Sequence, residues 1–148
     1  MEQRVQDHYA CPDLIDNIRA GLEKTGKTPE TLTPRDLGPI DQLHTGGAPA
    51  TLALGERAAL EKGATVLDAG CGIGGTSRLL AQHFGLRVEG IDLSYDFIDT
   101  AVILSQWCAL DKAGLSFRQG SVLELPYHDE LFDAVFCQHI LLNIENKQ

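Results

Sequence analysis

The strongest structural signal in this chain lies at residues 66–75, which read Val66-Leu67-Asp68-Ala69-Gly70-Cys71-Gly72-Ile73-Gly74-Gly75. The segment begins as a short apolar run with β character, and it becomes rich in glycine just before a helical pattern starts. This order predicts a strand, a tight loop and a helix. Glycine lets the backbone approach a ligand closely, and the first turn of a helix presents N–H groups without intrahelical partners. The junction is therefore a candidate binding site.

The acid at the end of this predicted strand, Asp68, indicates the kind of ligand. Its carboxylate would repel a pyrophosphate, but it can accept a hydrogen bond from a cationic or hydroxylated group. This favours a nucleoside without phosphates. The glycines at positions 70, 72 and 75 also satisfy the GxGxxG pattern of dinucleotide-binding folds, so the loop alone leaves both ligands open.

The second part of the chain, from Gly63 onward, alternates short apolar runs with helical patterns. We expect strands at 65–68, 86–91, 115–119 and 132–137, with helices at 75–84 and after the N-cap residue Ser94. This alternation predicts an α/β fold, in which a parallel sheet carries helices on its faces. A further helix is expected to begin after His139.

Residues 1–62 have a different character and predict a helical N-terminal extension. We expect a helix after Pro12, short turns with helix-start signals at 28–36, a polar loop at 41–47 and a second helix at 50–61. The predicted organisation is therefore a cap at 1–62, packed over the glycine loop, followed by a ligand-binding domain at 63–148.

Composition and charge narrow the class of protein. A chain of 148 residues fits one domain. Its formal net charge of −9 argues against nucleic acid as a partner, because binding phosphates requires clustered Lys and Arg. No segment is long and apolar enough to span a membrane, and no secretory leader opens the chain. We therefore expect a cytoplasmic protein that acts on small molecules.

The cysteines predict neither a disulfide framework nor a metal site. They lie far apart, without a CxxC spacing and without a histidine at metal-ligand spacing. We assign no metal ligand and expect four reduced thiols, which are Cys11, Cys71, Cys108 and Cys137.

A second acid, Asp92, ends the second predicted strand about 20 residues beyond Gly70. An acid at this position can accept hydrogen bonds from both ribose hydroxyls of an adenosyl group. An Asp that precedes Leu93 and Ser94 is also typical of a helix cap. In combination with Asp68 and the glycine loop, the ribose-binding role is the favoured one.

Taken together, these motifs resemble those of class I S-adenosylmethionine-dependent methyltransferases. The first motif of that family matches Asp68-x-Gly70-x-Gly72-x-Gly74. The later motifs match Gly120-Ser121-Val122 and, after Leu125-Pro126, the run Phe132-Asp133-Ala134-Val135-Phe136. The resemblance implies a Rossmann-like parallel sheet with strand order 3-2-1-4 and S-adenosylmethionine as the cofactor. It also implies a set of cofactor-binding residues: Asp68, Gly70, Cys71, Gly72, Gly74, Asp92, Leu93, Ser121, Val122 and Gln138.

Ser121 departs from the pattern of this family, which often has an acid here, near the adenine amino group. A hydroxyl oxygen can still accept a hydrogen bond from that amino group, although more weakly than a carboxylate. The backbone N–H of Val122 would lie near a ring nitrogen of the adenine.

Two further segments are similar to small-molecule methyltransferases of the sarcosine/dimethylglycine and ubiquinone-biosynthesis type. They are Asp41-Gln42-Leu43-His44-Thr45-Gly46-Gly47 and the pair Gln138-His139 followed by Asn143-Ile144. This similarity implies a small-molecule methyl acceptor, with His44 and His139 as residues that contact it or receive its proton. Either histidine is equally well explained as a polar residue that serves a loop. No catalytic base is assigned, because holding the reactants together can supply much of the rate.

The resemblance also bears on the extent of the domain. Members of the family continue beyond the fourth strand with three more strands, so we expect a domain that is truncated at its C-terminus and complete at its front. The fourth strand would then be an edge that a second chain could cover. Two alternatives stay open, which are an NAD(P)-dependent oxidoreductase and a non-catalytic cofactor-binding fragment.

Overall fold

Four parallel strands form one sheet in the computed structural model, which describes residues 6, 10–42, 44–112, 114–140 and 144. The strands are β1 (Thr65–Ala69), β2 (Arg87–Asp92), β3 (Leu115–Gln119) and β4 (Ala134–Cys137). Their order in the sheet is β3-β2-β1-β4, and every neighbouring pair is parallel. The predicted α/β class and the predicted strand order are confirmed.

Helices precede the sheet and connect its strands. The N-terminal part contains α1 (Leu14–Lys24), α2 (Pro34–Asp41) and α3 (Gly47–Ala58). The crossovers are α4 (Gly75–Phe84) between β1 and β2, and α5 (Tyr95–Trp107) between β2 and β3. No helix in the described part of the chain is both long and apolar enough to cross a bilayer.

The central strands are buried on both faces, as is usual for a parallel sheet covered by helices. Side chains alternate between the two faces, so Val66 and Val88 pack with Leu80 of α4 in one cluster. Leu67 and Ile91 belong to a separate cluster. A third cluster joins α1, α2 and α5 to the glycine loop through its buried members Leu22, Leu32, Leu37, Ile73 and Leu104.

Most of the predicted boundaries in the α/β part are reproduced within one or two residues. Ser94 caps α5 as expected, because its Oγ accepts a hydrogen bond from the N–H of Phe97 at 3.3 Å. β4 begins at Ala134 rather than at residue 132. Most of the helix expected after His139 lies outside the described residues.

The N-terminal boundaries differ more from the sequence-based expectation. Asp41 ends helix α2 instead of belonging to the polar loop, and α2 begins at a capping box between Thr33 and Asp36. Helix α3 spans Gly47–Ala58 rather than 50–61. Gly46, with a φ of +91°, forms its N-cap, and Ala59, with a φ of +49°, ends it. The helix therefore begins within the glycine pair that sequence reasoning placed in the loop, at Gly47.

A buried ion pair connects the N-terminal helices to the sheet domain. Arg78 of α4 lies 3.0 Å from Asp41 of α2, and their side chains are only 1% and 3% exposed. The same guanidinium group donates to the carbonyl oxygen of Ile73 at 2.8 Å and to Ser105 Oγ at 3.2 Å. One side chain therefore joins the glycine loop to helices α2, α4 and α5.

Gly75, the first residue of α4, is where the end of α2 approaches the glycine loop most closely. A Cβ atom at this position would overlap the carbonyl oxygen of Asp41 and lie 2.8 Å from its carbonyl carbon. Any side chain here would force α2 away from α4. Glycine is therefore required at position 75 by the packing of α2, in addition to any role in a ligand-binding loop.

We expect Arg78→Met to lower the free energy of unfolding by roughly 3–5 kcal/mol, because the Asp41 carboxylate stays buried without its counter-charge. Urea unfolding followed by circular dichroism measures this loss. Arg118→Met is the matched control, because the Arg118 side chain is 53% exposed and lies 3.6 Å from Glu89. The control should lose less than about 1 kcal/mol. Similar losses in the two variants would contradict a special role for the buried pair.

We expect Gly75→Ala to destabilise the chain by about 1–3 kcal/mol, because the added Cβ overlaps the backbone of α2. Gly21→Ala in α1 is the control, since nothing lies within 4 Å of a Cβ at that position. The control should be neutral or gain roughly 0.5–1 kcal/mol from the better helix propensity of Ala. Chemical denaturation measures both effects, and a Gly75→Ala variant as stable as the control would disprove the close packing of α2 on α4.

Candidate cofactor-binding site

The glycine loop between β1 and α4 adopts backbone conformations that favour glycine. Gly70, Gly72 and Gly74 have φ angles of +74°, +54° and +82°. The N–H groups of Gly70 and Cys71 both donate to the carbonyl oxygen of Ile91, at 2.8 and 3.0 Å. These bonds fix the start of the loop against the end of β2, so the loop lies at the carboxyl ends of the two central strands.

Asp68 lies at the end of β1 and is almost completely buried, with 2% of its surface exposed. Its Oδ2 accepts a hydrogen bond from Ser77 Oγ of α4 at 2.6 Å. Burial raises the pKa of this carboxyl group to about 6, and the negative charge of Asp92 contributes in the same direction. Asp68 is thus a carboxylate whose charge is only partly compensated by the protein.

Asp92 ends β2 and holds the glycine loop on one side and α5 on the other. Its Oδ2 accepts from the N–H of Gly72 at 2.9 Å, and its Oδ1 accepts from the N–H of Ser94 at 2.9 Å. Burial raises the pKa of this carboxyl group as well, although backbone hydrogen bonds from Ser94, Gly72 and Leu93 lower it. Each oxygen of a carboxylate has a second lone pair, so these contacts leave capacity to bind hydroxyl groups. A role of Asp92 at the start of helix α5 is therefore compatible with a contact between Asp92 and a ligand.

A cavity of about 220 Å³ opens at this edge of the sheet and brings together nearly all the predicted site residues. Its lining includes both carboxylates and both histidines. The predicted residues that line it are Asp68, Gly70, Cys71, Gly72, Asp92, Leu93, Ser121, Val122, Gln138, His44 and His139.

Gly74 is the predicted site residue that is not part of the cavity lining. It forms the N-cap of α4, and its N–H donates to the carbonyl oxygen of Cys71 at 2.9 Å. A Cβ here would lie 2.9 Å from the ring of Phe117 and 3.0 Å from the guanidinium group of Arg78. Gly74 therefore shapes the loop rather than the cavity surface.

Ser121, the residue that departs from the family pattern, lines the cavity. Its Oγ accepts a hydrogen bond from the N–H of Leu123 at 3.0 Å, and this contact orders the turn after β3. Gly120, Ser121 and Val122 together form one wall of the cavity.

A polar cluster that includes His44, Thr76, Gln138 and His139 forms another part of the cavity lining. Gln138 Oε1 accepts hydrogen bonds from Thr51 Oγ1 at 3.1 Å and Thr76 Oγ1 at 3.0 Å. Thr51 Oγ1 also lies 3.1 Å from His44 Nε2. The rings of His44 and His139 are 6.1 Å apart. The polar loop before α3 and the residues after β4 are thus brought together, although they are far apart in the sequence.

Sequence reasoning missed several residues of the lining. Thr76 follows the glycine loop directly, in the first turn of α4, so its position could have indicated a contact with the cavity. Asp41 belongs to the segment 41–47 that sequence reasoning singled out. The neighbouring residues, however, give no sign that Asp41 is buried and paired with Arg78. Ile73, Ser94 and Phe97 also contribute to the lining, and they appeared in the sequence only as loop, cap and helix residues.

The charge of the cavity is negative. Asp68 and Asp92 line it together with Asp41, whose charge is compensated by Arg78, and none of the described lining residues is Lys or Arg. Such a surface favours a cationic or hydroxylated ligand over a phosphate. In the part of the chain that the structure describes, no group of three His, Cys, Asp or Glu residues is placed to hold a metal ion.

Comparisons with known proteins agree with this geometry. The methyltransferase domain family matches residues 66–148. Phosphoethanolamine N-methyltransferase 1 of Zea mays is 37% identical over 105 residues, which are 71% of this chain and 20% of that protein. Ajmaline N-methyltransferase of Rauvolfia serpentina is 33% identical over 88 residues, which are 60% of this chain and 30% of that protein.

A solved structure extends the similarity to the N-terminal helices. Haemonchus contortus phosphoethanolamine N-methyltransferase 2, in complex with phosphomonomethylethanolamine and S-adenosylhomocysteine, superposes with a TM-score of 0.64. The match has 28% sequence identity and covers 85% of this chain and 30% of that one. The chain spans about a fifth of the length of the curated phosphoethanolamine N-methyltransferases that it matches.

These matches confirm the broader resemblance, while the narrower similarity to the sarcosine/dimethylglycine and ubiquinone-biosynthesis type stays a prediction. The chain belongs to the methyltransferase domain family, within the class I S-adenosylmethionine-dependent methyltransferases.

Proposed function

We propose that this chain binds S-adenosylmethionine in the cavity beside β1 and β2, and that it forms the cofactor-binding part of an enzyme that methylates a small-molecule amine. The observation that carries the proposal is the position of two carboxylates, the buried Asp68 and the partly buried Asp92, which line one cavity together with the glycine loop. The relatives named above are N-methyltransferases, which supports an amine as the acceptor.

The residues present fit the cofactor. Asp92 would accept hydrogen bonds from the ribose hydroxyls, and Asp68 would lie toward the ammonium group of the methionine moiety. Ser121 and Val122 would contact the adenine. Both residues line the same cavity as Asp68 and Asp92. When bound, the cofactor supplies an electrophilic methyl group on a positively charged sulfur.

The N-terminal part contributes the acceptor side in this proposal. Residues 1–62 act as a cap, and their loop before α3 carries His44 to the cavity, where its ring lies 6.1 Å from that of His139. Both histidines would contact the methyl acceptor. The buried pair of Arg78 and Asp41 supports this role, because it fixes the end of α2 beside the glycine loop.

Two alternatives are weaker. An NAD(P)-dependent oxidoreductase would have to place a pyrophosphate against Asp68 and Asp92, with no cation among the described lining residues. A non-catalytic cofactor-binding fragment would keep the same site without an acceptor. Methyl transfer assayed over small amines and quinol precursors distinguishes that alternative from the proposed enzyme.

We also propose a second chain as a partner and the cytoplasm as the location. β4 is the outer strand of the described sheet, and Val135 on it is 58% exposed, so a further strand, from a second chain, would pair with this edge. Nucleic acids and membranes are not proposed partners, because the formal net charge is −9. The four cysteines are unpaired, which supports a reducing, cytoplasmic environment.

We expect Asp92→Asn to weaken the binding of S-adenosylhomocysteine by roughly 10- to 100-fold, because hydrogen bonds to a charged group contribute about 1.5–3 kcal/mol. Isothermal titration calorimetry measures the affinity. Asp99→Asn, on the exposed side of α5, is the matched control and should leave the affinity unchanged. A folded Asp92→Asn variant with the affinity of the unchanged chain would contradict the proposal. Binding of NADH in place of S-adenosylhomocysteine would favour the oxidoreductase.

We expect opposite pH dependences for folding and for binding, because the pKa of Asp68 is raised from 3.8 to about 6. The folded state holds this proton more tightly than the unfolded state, so the free energy of unfolding should fall as the pH rises from about 4 to about 6. The size of the effect is roughly 3 kcal/mol. Binding of S-adenosylhomocysteine should strengthen over the same range, because its ammonium group favours the ionised carboxylate.

Asp68→Asn is the variant that isolates this effect from other titrating groups. Its unfolding free energy and its affinity should both depend less on pH than those of the unchanged chain, although Asp92 retains some dependence. Urea unfolding and calorimetry at a series of pH values measure the two slopes. Identical slopes with and without the Asp68 carboxylate would exclude it as the titrating group.

A further inference from the structure

The segment after β3 forms one wall of the cavity, and its start is attached to strand β2. Residues 120–123 all line the cavity. The N–H of Gly120 donates to the carbonyl oxygen of Asp92 at 2.9 Å. A Cβ atom on Gly120 would lie 2.9 Å from Ile91 Cδ1, so the backbone packs directly on β2 at this point. The start of the wall is therefore held against the sheet.

The chain beyond this wall is exposed to solvent until it reaches Tyr127. Residues 123–126 and 128–131 are exposed, whereas Tyr127 between them is partly buried. The side chains of Tyr127 and Val122 pack against the same buried cluster of β1 and β2. The ring of Phe132 meets the Tyr127 ring edge-on, with the two centroids 5.0 Å apart. Tyr127 is therefore the residue through which this segment returns to the sheet.

A polar cluster on the same face of the sheet binds the hydroxyl group of Tyr127. Glu89 lies two residues before Ile91 in β2, so the two side chains are on one face of the sheet. Tyr127 Oη donates to Glu89 Oε1 at 2.9 Å, and Ser116 Oγ donates to Glu89 Oε2. Arg118 Nε lies 3.6 Å from the same carboxylate, and the guanidinium carbon lies 5.4 Å from the centre of the Tyr127 ring. An ionised carboxylate can only accept, so the direction of both hydroxyl bonds is fixed.

The bond between Tyr127 and Glu89 is of the stronger kind. The Glu89 side chain is 18% exposed, and a hydrogen bond to an ionised group is roughly twice as strong as one between neutral groups. Burial raises the pKa of Tyr127, and the hydrogen bond to Glu89 acts in the same direction, so the phenol stays a donor at neutral pH. Neither side chain lines the cavity. Any effect of this bond on a ligand must therefore pass through the wall.

We propose that Tyr127 and Glu89 are positioning residues for the cofactor, because their hydrogen bond holds the wall of residues 120–123 in the form that receives the adenine; this inference rests on the proposed function. The segment is attached to β2 at both ends, through Gly120 and through Tyr127. The exposed residues between these attachments contribute little to its local stability. Without the hydrogen bond, part of the population has a displaced wall, and the apparent affinity falls with the fraction that stays competent.

We expect Tyr127→Phe to weaken the binding of S-adenosylhomocysteine by roughly 3- to 10-fold, because it removes the hydroxyl group and keeps the ring that packs on Phe132. Isothermal titration calorimetry measures the affinity. Tyr95→Phe is the matched control, because it removes the hydroxyl group of a tyrosine that is 63% exposed, and it should leave the affinity unchanged. Equal affinities of the two variants would overturn the proposal.

Hydrogen exchange in the free chain, followed by NMR, distinguishes positioning of the wall from a general loss of stability. The amides of Gly120 and Leu123, which donate to Asp92 and Ser121, should exchange at least roughly threefold faster in Tyr127→Phe. The amides of β1 and α4 should keep their rates. An even acceleration over the whole sheet, or none at these two amides, would overturn the proposal. This measurement needs no ligand, so failure of the unchanged chain to bind S-adenosylhomocysteine would count against the proposed function separately.

Substitutions of Glu89 test whether the two residues act as a pair. Glu89→Gln keeps an oxygen that can accept from Tyr127, so it should retain most of the affinity. Glu89→Ala should lose about as much affinity as Tyr127→Phe does. In the double variant Glu89→Ala with Tyr127→Phe, the second substitution should add little, because the bond is already absent. Additive losses, or a loss in Glu89→Gln as large as that in Glu89→Ala, would overturn the proposal.

Discussion

The structure depends on two carboxylates at the ends of neighbouring parallel strands, of which Asp68 is buried and Asp92 is partly buried. Asp68 and Asp92 lose much of their hydration, and the protein replaces it with only a few donors, from Ser77, Gly72 and Ser94. Burial of this kind is costly unless the charge is compensated. The glycine loop, the start of α4 and the start of α5 are all fixed by these contacts. The same uncompensated charge is what gives the cavity its preference for cationic ligands.

A second buried charge extends this organisation to the N-terminal helices. The guanidinium group of Arg78 binds the carbonyl oxygen of Ile73 in the glycine loop and the carboxylate of Asp41 in α2. Gly75 allows the end of α2 to lie directly on α4. The N-terminal helices and the glycine loop are thus parts of one packed unit. A displacement of α2 would leave Arg78 without its counter-charge. It would also release the contact between Arg78 and the carbonyl oxygen of Ile73 in the glycine loop.

The sequence predicted the sheet domain better than the cap, and the reason is physical. Strands β1 to β3 and helices α4 and α5 are bounded by local signals, such as Gly74, Gly85 and Ser94, that act on the backbone next to them. The pair of Arg78 and Asp41 joins residues that are 37 positions apart. An arginine in a helix gives no sign of burial, because its partner lies in a different element. The end of α2 therefore could not be located from periodicity alone.

The candidate site shows the same division between local and long-range information. The residue types at positions 44 and 139 could be singled out from the sequence, and the structure places both at the cavity. Their chemical roles could not, because a histidine donates or accepts according to the groups it meets. Thr51 and Gln138 come from elements separated by the whole sheet domain, and the backbone of Thr45 belongs to the cap. Two identical side chains thus meet different partners at one cavity, and the fold determines which partners each of them has.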